Sequence, residues 1–212
     1  MFLQVIDIKH ITDSTYVLRF ERNNITFRAG QYICLGVENY PYMREYSIYS
    51  GENEDFLEVL IKEVDQGDIS VKLKNCQKGD RLRYKLPQGK FLSPEEISHS
   101  NTVFIATGTG VSPFHSFVKS NPQQAYTLIH GIRNIEEAYG IDDFDKKHCI
   151  TCTSQEKTGT YVGRVTEYLR QNGFDIHSNF FLCGNGKMIY EVFDILQQQG
   201  VKAEQVNYEI YF

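Results

Sequence analysis

The 212-residue sequence changes its periodicity near residue 99, and this change limits the folds that the chain can adopt. Before it, short runs of alternating apolar and polar residues follow one another closely, separated by Gly, Asn and Asp turns. After it, apolar runs such as "NTVFIATGTG" end in glycines and lead into segments with helical periodicity. The first pattern is typical of a small antiparallel barrel. The second indicates a parallel sheet with right-handed helical crossovers, so we predict two domains, residues 1–99 and 100–212.

The first domain is expected to contain six strands, at about residues 2–9, 15–21, 31–37, 44–50, 56–64 and 81–86. A helical interruption begins at Gly67, in "GDISVKLKN". In the second domain, strands are expected in "NTVFIATGTG", "AYTLIHGIR", "HCITCTS", "NFFLCGNG" and the terminal "EQVNYEIYF". Helices are expected in "VSPFHSFVKS" and at about residues 134–139, 164–172 and 186–199.

Composition and charge exclude several classes of protein. With 41% hydrophobic and 23% charged residues, the chain can fill a core and is not expected to be disordered. A net charge of -5 disfavours non-specific nucleic-acid binding, which requires a basic surface. No run approaches about 18 apolar residues and no signal-peptide pattern is present, so we expect a cytoplasmic protein without membrane contact. Five scattered cysteines do not indicate a disulfide framework, and Cys149 and Cys152 lack a second pair to complete a metal site, so no metal is expected.

Glycine turns follow two of the apolar strands in the second half. "ATGTGVSPF" places Gly108 and Gly110 between a strand and a helix, with Pro113 where a first helical turn tolerates proline. Glycines let a phosphate approach the backbone, and the helix start favours its negative charge. "FLCGNGKMIYEVF" has the same organisation, which brings Cys183 near the carboxyl edge of the sheet, where ligands collect. In "HGIR", Arg133 replaces the acid typical of NAD sites and suits the 2′-phosphate of NADP, although tight turns and a surface arginine remain an alternative.

The segment "YPYMREYSIYS" concentrates polar and aromatic side chains in a predicted strand. Arg44 and Tyr46 should share one face, opposite Glu45 and Ser47. Arg44 and Ser47 could bind phosphate through a charge and a hydroxyl while Tyr46 covers an aromatic ring. An exposed strand that carries an arginine and a tyrosine for other reasons is the alternative.

Taken in order, these segments resemble the ferredoxin:NADP reductase family. "REYS" resembles its Arg-x-Tyr-Ser flavin motif, "GDIS" its flavin-pyrophosphate segment, "GTGVSP" its nicotinamide-nucleotide turn and "CGN" its Cys-Gly motif. "HGIR", "GRVTEYL" and the terminal "EIYF" resemble the bacterial branch, so the resemblance covers nearly the whole chain. It implies a two-domain β + α/β fold, in which a six-stranded antiparallel FAD-binding barrel precedes a Rossmann-like parallel-sheet NAD(P)-binding domain with a flavin-covering tail.

The resemblance implies FAD contacts in both halves of the chain. Tyr46 and Tyr211 would stack on the two flavin faces, and Phe212 would pack beside adenine. Tyr211 would have to move for nicotinamide to reach the flavin, so the tail would act as a gate. The hydride path would be surrounded by the catalytic set Ser47, Cys183, Glu209 and Tyr211. The expected FAD-binding residues are Arg44, Glu45, Tyr46, Ser47, Leu60, Ile61, Lys62, Gly67, Ile69, Ser70, Thr109, Tyr211 and Phe212.

The resemblance also implies a site for NADP. The expected residues are Gly108, Gly110, Pro113, Arg133, Ser154, Gln155, Arg164, Cys183, Gly184 and Met188. The bacterial branch surrounds the 2′-phosphate with three arginines; here Arg133 and Arg164 match, whereas Gln155 stands in place of the middle one. NADPH is therefore the expected co-substrate, and NADH use stays open.

These features predict a monomeric FAD-dependent reductase that exchanges a hydride with NADPH and passes single electrons to or from ferredoxin or flavodoxin. One alternative is an NAD(P)H-dependent reductase component of an oxygenase, or a free-flavin reductase. A flavin subunit of a dihydroorotate dehydrogenase is disfavoured, because no cysteine follows Cys183 to hold an iron-sulfur cluster. From another class, a non-catalytic nucleotide-binding module would keep the fold without turnover.

Overall fold

A computed structural model describes residues 1–64, 67–93 and 101–211. The described residues form two compact units. The first, which we call the barrel unit, comprises Met1–Ser93 and Ser112–Asn121. The second, the parallel-sheet unit, comprises the described residues within Pro94–Val111 and Pro122–Phe212. The boundary expected near residue 99 lies in 94–100, outside the described residues.

Six strands of the barrel unit form one antiparallel sheet in the order β4-β3-β6-β1-β2-β5. Ile48 forms an antiparallel bridge with Val59, and the neighbouring Tyr49 N donates to Glu58 O at 2.7 Å. The two end strands therefore meet, and the sheet closes into the predicted barrel. The strands are β1 (Phe2–Thr12), β2 (Thr15–Glu21), β3 (Tyr32–Val37), β4 (Arg44–Ser47), β5 (Phe56–Lys62) and β6 (Arg81–Gln88).

Two helices pack in the barrel unit. Helix α1 (Asp68–Lys74) places Ile69 and Leu73 in the apolar core that the inward-facing strand residues fill. Helix α2 (Ser112–Ser120) is buried over most of its surface and packs its His115 ring flat on Tyr49, with ring centroids 3.7 Å apart. Since a carbonyl only accepts, His115 Nδ1 donates to Tyr49 O at 2.7 Å. Helix α2 thus belongs to the barrel unit, although it follows the first strand of the parallel-sheet unit, Thr102–Thr107, in the chain.

Six strands of the parallel-sheet unit pair in parallel in the order β10-β9-β8-β7-β11-β12. After β7 the chain adds β8, β9 and β10 on one side and then returns to add β11 and β12 on the other. The carboxyl ends of β7 and β11 therefore form a topological switch point, where ligands of open parallel sheets bind. The strands are β7 (Thr102–Thr107), β8 (Thr127–Ile132), β9 (Cys149–Thr153), β10 (Tyr161–Val162), β11 (Asn179–Asn185) and β12 (Val206–Tyr211).

Helices α3 (Val165–Asn172) and α4 (Gly186–Gln198) bury their apolar faces in the core of this unit. The helix expected at about 134–139 is only a 3-10 turn at Ile135–Glu137, because Gly140 adopts a left-handed conformation and the Glu137 carboxylate folds back onto Arg133 N. None of the helices among the described residues has the length and apolar character needed to cross a membrane.

Candidate functional site

Strand β4 carries the first group of predicted site residues. Its register with β3 pairs Tyr46 with Ile33 and Arg44 with Leu35 on one face, opposite Glu45 and Ser47. Tyr46 packs against the barrel core and burial raises its pKa, so its hydroxyl is neutral. Ser47 is buried, whereas Arg44 and Glu45 are exposed. The Arg44 guanidinium donates to Met43 O at 3.1 Å and pairs with no carboxylate of the described residues, which leaves a positive charge at the surface of this strand.

Strand β5 offers backbone groups rather than side chains. The side chains of Leu60 and Ile61 are buried in the barrel unit. One edge of these residues pairs with β2, and no strand of the described ranges pairs with the other edge beyond the bridge at Val59. Peptide groups on that side therefore face outward between β4 and β5, which fits the backbone contacts predicted for Leu60, Ile61 and Lys62.

The start of α1 is held in place by side chains from elsewhere in the barrel unit. The Tyr16 hydroxyl donates to Ser70 O at 2.5 Å, and burial strongly raises the pKa of Tyr16. Val64 N donates to Ser70 Oγ at 3.4 Å, which joins the end of β5 to the helix. No side chain caps the helix start at Gly67, where a Cβ would lie 2.7 Å from Val64 O. A residue with a Cβ would therefore collide with the Val64 carbonyl, so the tight turn into α1 requires glycine, and the helix start is left without a side-chain cap.

A second group of predicted residues meets at the switch point, and we call it the switch-point cluster: Thr107–Gly110 and Cys183–Asn185. Gly110 lies so close to β11 that a Cβ would be 2.6 Å from the Cys183 carbonyl carbon. Gly184 has φ of +127° and would place a Cβ 2.7 Å from Thr107 O. Asn185 N donates to Thr107 Oγ1 at 3.0 Å. The two strand ends are therefore in backbone-to-backbone contact, and their glycines cannot be replaced without displacement.

Cys183, Glu209 and Tyr211 lie on one face at this place. The parallel register pairs Cys183 with Glu209 and Asn185 with Tyr211. Burial, with a smaller contribution from the Glu209 carboxylate, raises the pKa of Cys183 far above its ordinary range. A hydrogen bond with the Tyr211 side chain opposes this effect without reversing it. The sulfur is therefore a neutral thiol at physiological pH, suited to packing and weak hydrogen bonding rather than to nucleophilic attack.

His130, on β8, fixes the glycine turn from the neighbouring strand. Its Nε2 lies 2.8 Å from Gly108 O, and since the carbonyl only accepts, Nε2 carries the proton and donates. Burial lowers the pKa of His130 to about 4, partly opposed by the bond to Gly108 and the Glu137 carboxylate. Neutral His130 thus orients the Gly108 carbonyl toward β8.

A third group occupies the carboxyl ends of β8, β9 and β10, and we call it the outer edge: Arg133, Ser154, Gln155 and Arg164. Ser154 N donates to Ile132 O at 3.0 Å and Gln155 N donates to Arg133 O at 3.0 Å. Gly163 N, next to Arg164, donates to Thr153 O at 2.9 Å. Because these strands are neighbours in the sheet, the residues form one exposed row. Neither arginine pairs with a carboxylate of the described residues, so both can meet an anion.

The remaining predicted site residues lie outside the contacts described for these three groups. Thr109 is part of the 3-10 turn Gly108–Val111, and Pro113 is buried in the first turn of α2. Met188 is buried in the core of the parallel-sheet unit. Phe212 lies outside the described residues. Within the described ranges, no group of three or more His, Cys, Asp or Glu residues is arranged to hold a metal ion.

Sequence reasoning missed Tyr16, Thr107, His130 and Glu137. Thr107 and His130 are polar residues between apolar or glycine neighbours, as in "TLIHGIR", whereas Tyr16 and Glu137 stand next to polar residues and carry no such signal. This interruption of an apolar run is a usable signal, because a buried polar group requires a partner. The partner itself could not be identified, since Thr107 and Asn185 are 78 residues apart.

The chain is similar to several known proteins. Residues 3–92 match the family model of the oxidoreductase FAD-binding domain. Ferredoxin--NADP reductase of Azotobacter vinelandii is 29% identical over 94% of this chain and 90% of that protein. The toluate 1,2-dioxygenase electron transfer component of Pseudomonas putida is 25% identical over 97% of this chain and 66% of that protein. Against several other relatives, the chain spans only 51 to 58% of the relative's length.

A solved structure shares the fold over the whole chain. The crystal structure of a ferredoxin NADP+ reductase from Neisseria gonorrhoeae with bound FAD and NADP matches with a TM-score of 0.89 at 23% identity. The match covers 100% of this chain and 98% of that one. At this identity the likeness establishes the architecture, a barrel followed by a parallel sheet.

Proposed function

We propose that the chain is a member of the ferredoxin:NADP reductase family of flavin-dependent oxidoreductases and that it exchanges a hydride with NADPH through bound FAD. Single electrons then pass to or from ferredoxin or flavodoxin. The observation that carries this proposal is the switch-point cluster, with Cys183, Glu209 and Tyr211 on one face, in a chain that also holds an FAD-binding domain. FAD, when bound, supplies the conversion between two-electron and one-electron transfer.

The barrel, within residues 1–99, is proposed to hold FAD. The positive charge of Arg44 and the uncapped start of α1 at Gly67 and Ile69 would bind the pyrophosphate. Tyr46 would cover one flavin face, and the outward peptide groups of β5 would meet the flavin edge. The fit is supported by the start of α1, which no side chain caps, and by the positive charge of Arg44, which no carboxylate of the described residues neutralises.

The parallel sheet, within residues 100–212, is proposed to hold NADPH. The glycine turn after β7 would receive the pyrophosphate, with its Gly108 carbonyl turned away by His130. Arg133, Ser154, Gln155 and Arg164 would surround the 2′-phosphate. With Gln155 in place of a third arginine, we propose a preference for NADPH that still allows NADH.

Residues around the hydride path act by orientation and exclusion of water. Neutral Cys183 would pack beside the nicotinamide without competing for the hydride, and Ser47 and Glu209 are proposed to supply polar groups to the hydride path. Tyr211 would cover the second flavin face and would move aside when nicotinamide enters, and Phe212 would pack beside adenine. We propose a monomer in the cytoplasm, since the electron partner would be a small soluble protein.

A second candidate is the reductase component of an oxygenase. The similarity to the toluate 1,2-dioxygenase component over 97% of this chain favours it. It uses the same FAD and NAD(P)H sites and differs in the electron acceptor. A free-flavin reductase and a non-catalytic nucleotide-binding module are the other outcomes that a direct test distinguishes.

The test is anaerobic stopped-flow mixing of the FAD-reconstituted protein with NADPH and, separately, with NADH. We expect bleaching of the flavin absorbance near the visible maximum, followed by reoxidation on adding ferredoxin or flavodoxin. Reoxidation only by an oxygenase partner supports the second candidate. Reduction of added free flavin alone would indicate a free-flavin reductase. Nucleotide binding without bleaching indicates the module, and a protein that binds no FAD would refute the proposal.

A further inference from the structure

Glu156 joins the outer edge to the turn that follows β8. This half-buried residue lies in the segment between β9 and β10, and its Oε2 accepts from Ile135 N at 2.7 Å. Ile135 is two residues after Arg133, and the preceding Gln155 is itself bonded to Arg133 O at 3.0 Å. The Glu156 carboxylate is therefore fixed within a few residues of the groups that would meet the coenzyme's 2′ position.

A second carboxylate acts on the same turn. Glu137 is buried, and its Oε2 accepts from Arg133 N at 2.9 Å. The amides of Arg133 and Ile135, which could otherwise bind a phosphate, are thus both occupied by carboxylate oxygens. An anion at this part of the outer edge can therefore interact with charged side chains, but the amides of Arg133 and Ile135 are not available to it.

The net charge of the outer edge and the segments that adjoin it is close to zero. No cation of the described residues forms an ion pair with Glu156, so its charge is not neutralised by a direct partner. With Gln155 neutral, the cations at and beside the outer edge are fewer than the acids on the same segments: Arg133, Lys157 and Arg164 against Glu136, Glu137, Glu156 and Glu167, the last of which accepts from Arg164 N at 2.6 Å. The 2′-phosphate of NADPH would therefore gain less electrostatic stabilisation at the outer edge than two arginines alone would provide.

We propose that Glu156 is a specificity-determining residue that lowers the preference for NADPH over NADH. The proposal rests on the function proposed above, since it assigns a role within the same coenzyme site. Glu156 has two separable effects: its hydrogen bond to Ile135 N holds the turn, and its charge opposes the 2′-phosphate. NADH, which has a hydroxyl there, experiences only the first effect.

Two substitutions separate these effects in the FAD-loaded protein. Glu156→Gln keeps an oxygen that accepts from Ile135 N and removes the charge. It should raise the NADPH-to-NADH ratio of kcat/KM by about three- to tenfold, the size expected for one carboxylate several ångströms from a phosphate in a solvated site. The gain should come from a lower KM for NADPH, with kcat unchanged. Glu156→Ala removes both the charge and the bond, so KM should rise for NADH as the turn loosens.

The control is Glu204→Gln, which removes an exposed carboxylate before β12, at the amino edge of the sheet. Its coenzyme ratio should stay within about twofold of the wild type, because charges more than a Debye length of roughly 8 Å away are screened. The effect of Glu156→Gln should also shrink as salt is raised, which a purely structural role would not produce.

Titration with adenosine 2′,5′-bisphosphate and with 5′-AMP tests the inference without turnover. Glu156→Gln should lower the Kd of adenosine 2′,5′-bisphosphate by about three- to tenfold and leave the Kd of 5′-AMP unchanged. An unchanged or lowered ratio, in binding as in kinetics, overturns the role of Glu156. If neither coenzyme reduces the flavin in any variant while the binding difference appears, the proposed function fails and the role of Glu156 in binding the 2′-phosphate stands.

Discussion

The switch-point cluster and the outer edge lie at the carboxyl ends of the same parallel sheet, yet they are built from different groups. At the switch point, Gly110 and Gly184 bring two main-chain segments into direct contact, and Cys183 is fully buried. At the outer edge, Arg133, Gln155 and Arg164 are exposed side chains on a backbone whose own bonds are already made. A change in the first group must move main chain, whereas a change in the second alters charge with little displacement. The sheet therefore combines a rigid half with a half whose selectivity can be altered.

The largest expected effect is that of Gly110→Ala. Its Cβ would lie 2.6 Å from the Cys183 carbonyl carbon and 2.7 Å from Gly184 Cα, so β7 and β11 must separate at this end. We expect a loss of about 3 kcal/mol or more in the free energy of unfolding, measured by denaturant titration. Gly186→Ala is the matched control, because its Cβ would meet Ile210 Cγ2 at an ordinary 3.4 Å. Equal stability of the two variants would show that the switch-point cluster is not rigid.

The second-largest expected effect is a pH dependence of the unfolding free energy that arises from His130. Burial lowers its pKa from 6.5 to about 4, so the unfolded chain binds a proton that the folded chain does not between these values. The stability that neutral His130 contributes is fully present above pH 6.5 and is lost as the pH falls to about 4. The free energy of unfolding changes by about 3 kcal/mol over this range. His130→Gln keeps an N–H for Gly108 O and does not titrate.

This contribution is measured as the difference in unfolding free energy between wild type and His130→Gln from pH 4 to pH 7. The unfolding free energy of the wild type should increase relative to that of the variant as the pH rises through this range. His130→Phe, which has no donor for Gly108 O, should be less stable than His130→Gln at pH 7. A difference independent of pH would mean that the pKa of His130 is the same in the folded and the unfolded protein, and a difference of the opposite sign would mean that His130 is protonated in the folded protein.

The smallest expected effect is at the outer edge, with Gln155→Arg. An added guanidinium beside Arg133 and Arg164 should raise the NADPH-to-NADH ratio of kcat/KM by about tenfold, equivalent to about 1.4 kcal/mol. The unfolding free energy should change by less than about 0.5 kcal/mol, since the site is exposed. Steady-state kinetics with both coenzymes give the ratio, and an unchanged ratio would place Gln155 away from the 2′-phosphate.

Much of the architecture follows from local patterns. Period-two alternation predicted the six barrel strands, and apolar runs followed by glycines predicted the parallel strands, because both signals lie within a few consecutive residues. The structure confirms the six-stranded antiparallel barrel and the parallel sheet. The roles assigned to individual site residues are still predictions.

Features that depend on distant segments could not be derived from these patterns. The bridge between Ile48 and Val59, the bond from Tyr16 to Ser70 and the packing of His115 on Tyr49 join residues that no periodicity relates. The hydrogen bond that Glu156 accepts from Ile135 N is of the same kind, since nothing in the polar segment around this glutamate identifies its partner. Packing between segments, rather than propensity within them, decided these positions.

The place of α2 in the barrel unit bears on how the protein assembles during synthesis. The barrel strands are complete at Gln88, but Phe91 packs its ring within 6.0 Å of Phe114 and Phe117 of α2. A nascent chain that has released only its first 93 residues from the ribosome exposes this aromatic surface. The barrel acquires its full packing only when Asn121 has emerged, after β7 of the other unit has already left the exit tunnel, so the barrel unit cannot finish folding before synthesis of the second half of the chain has begun.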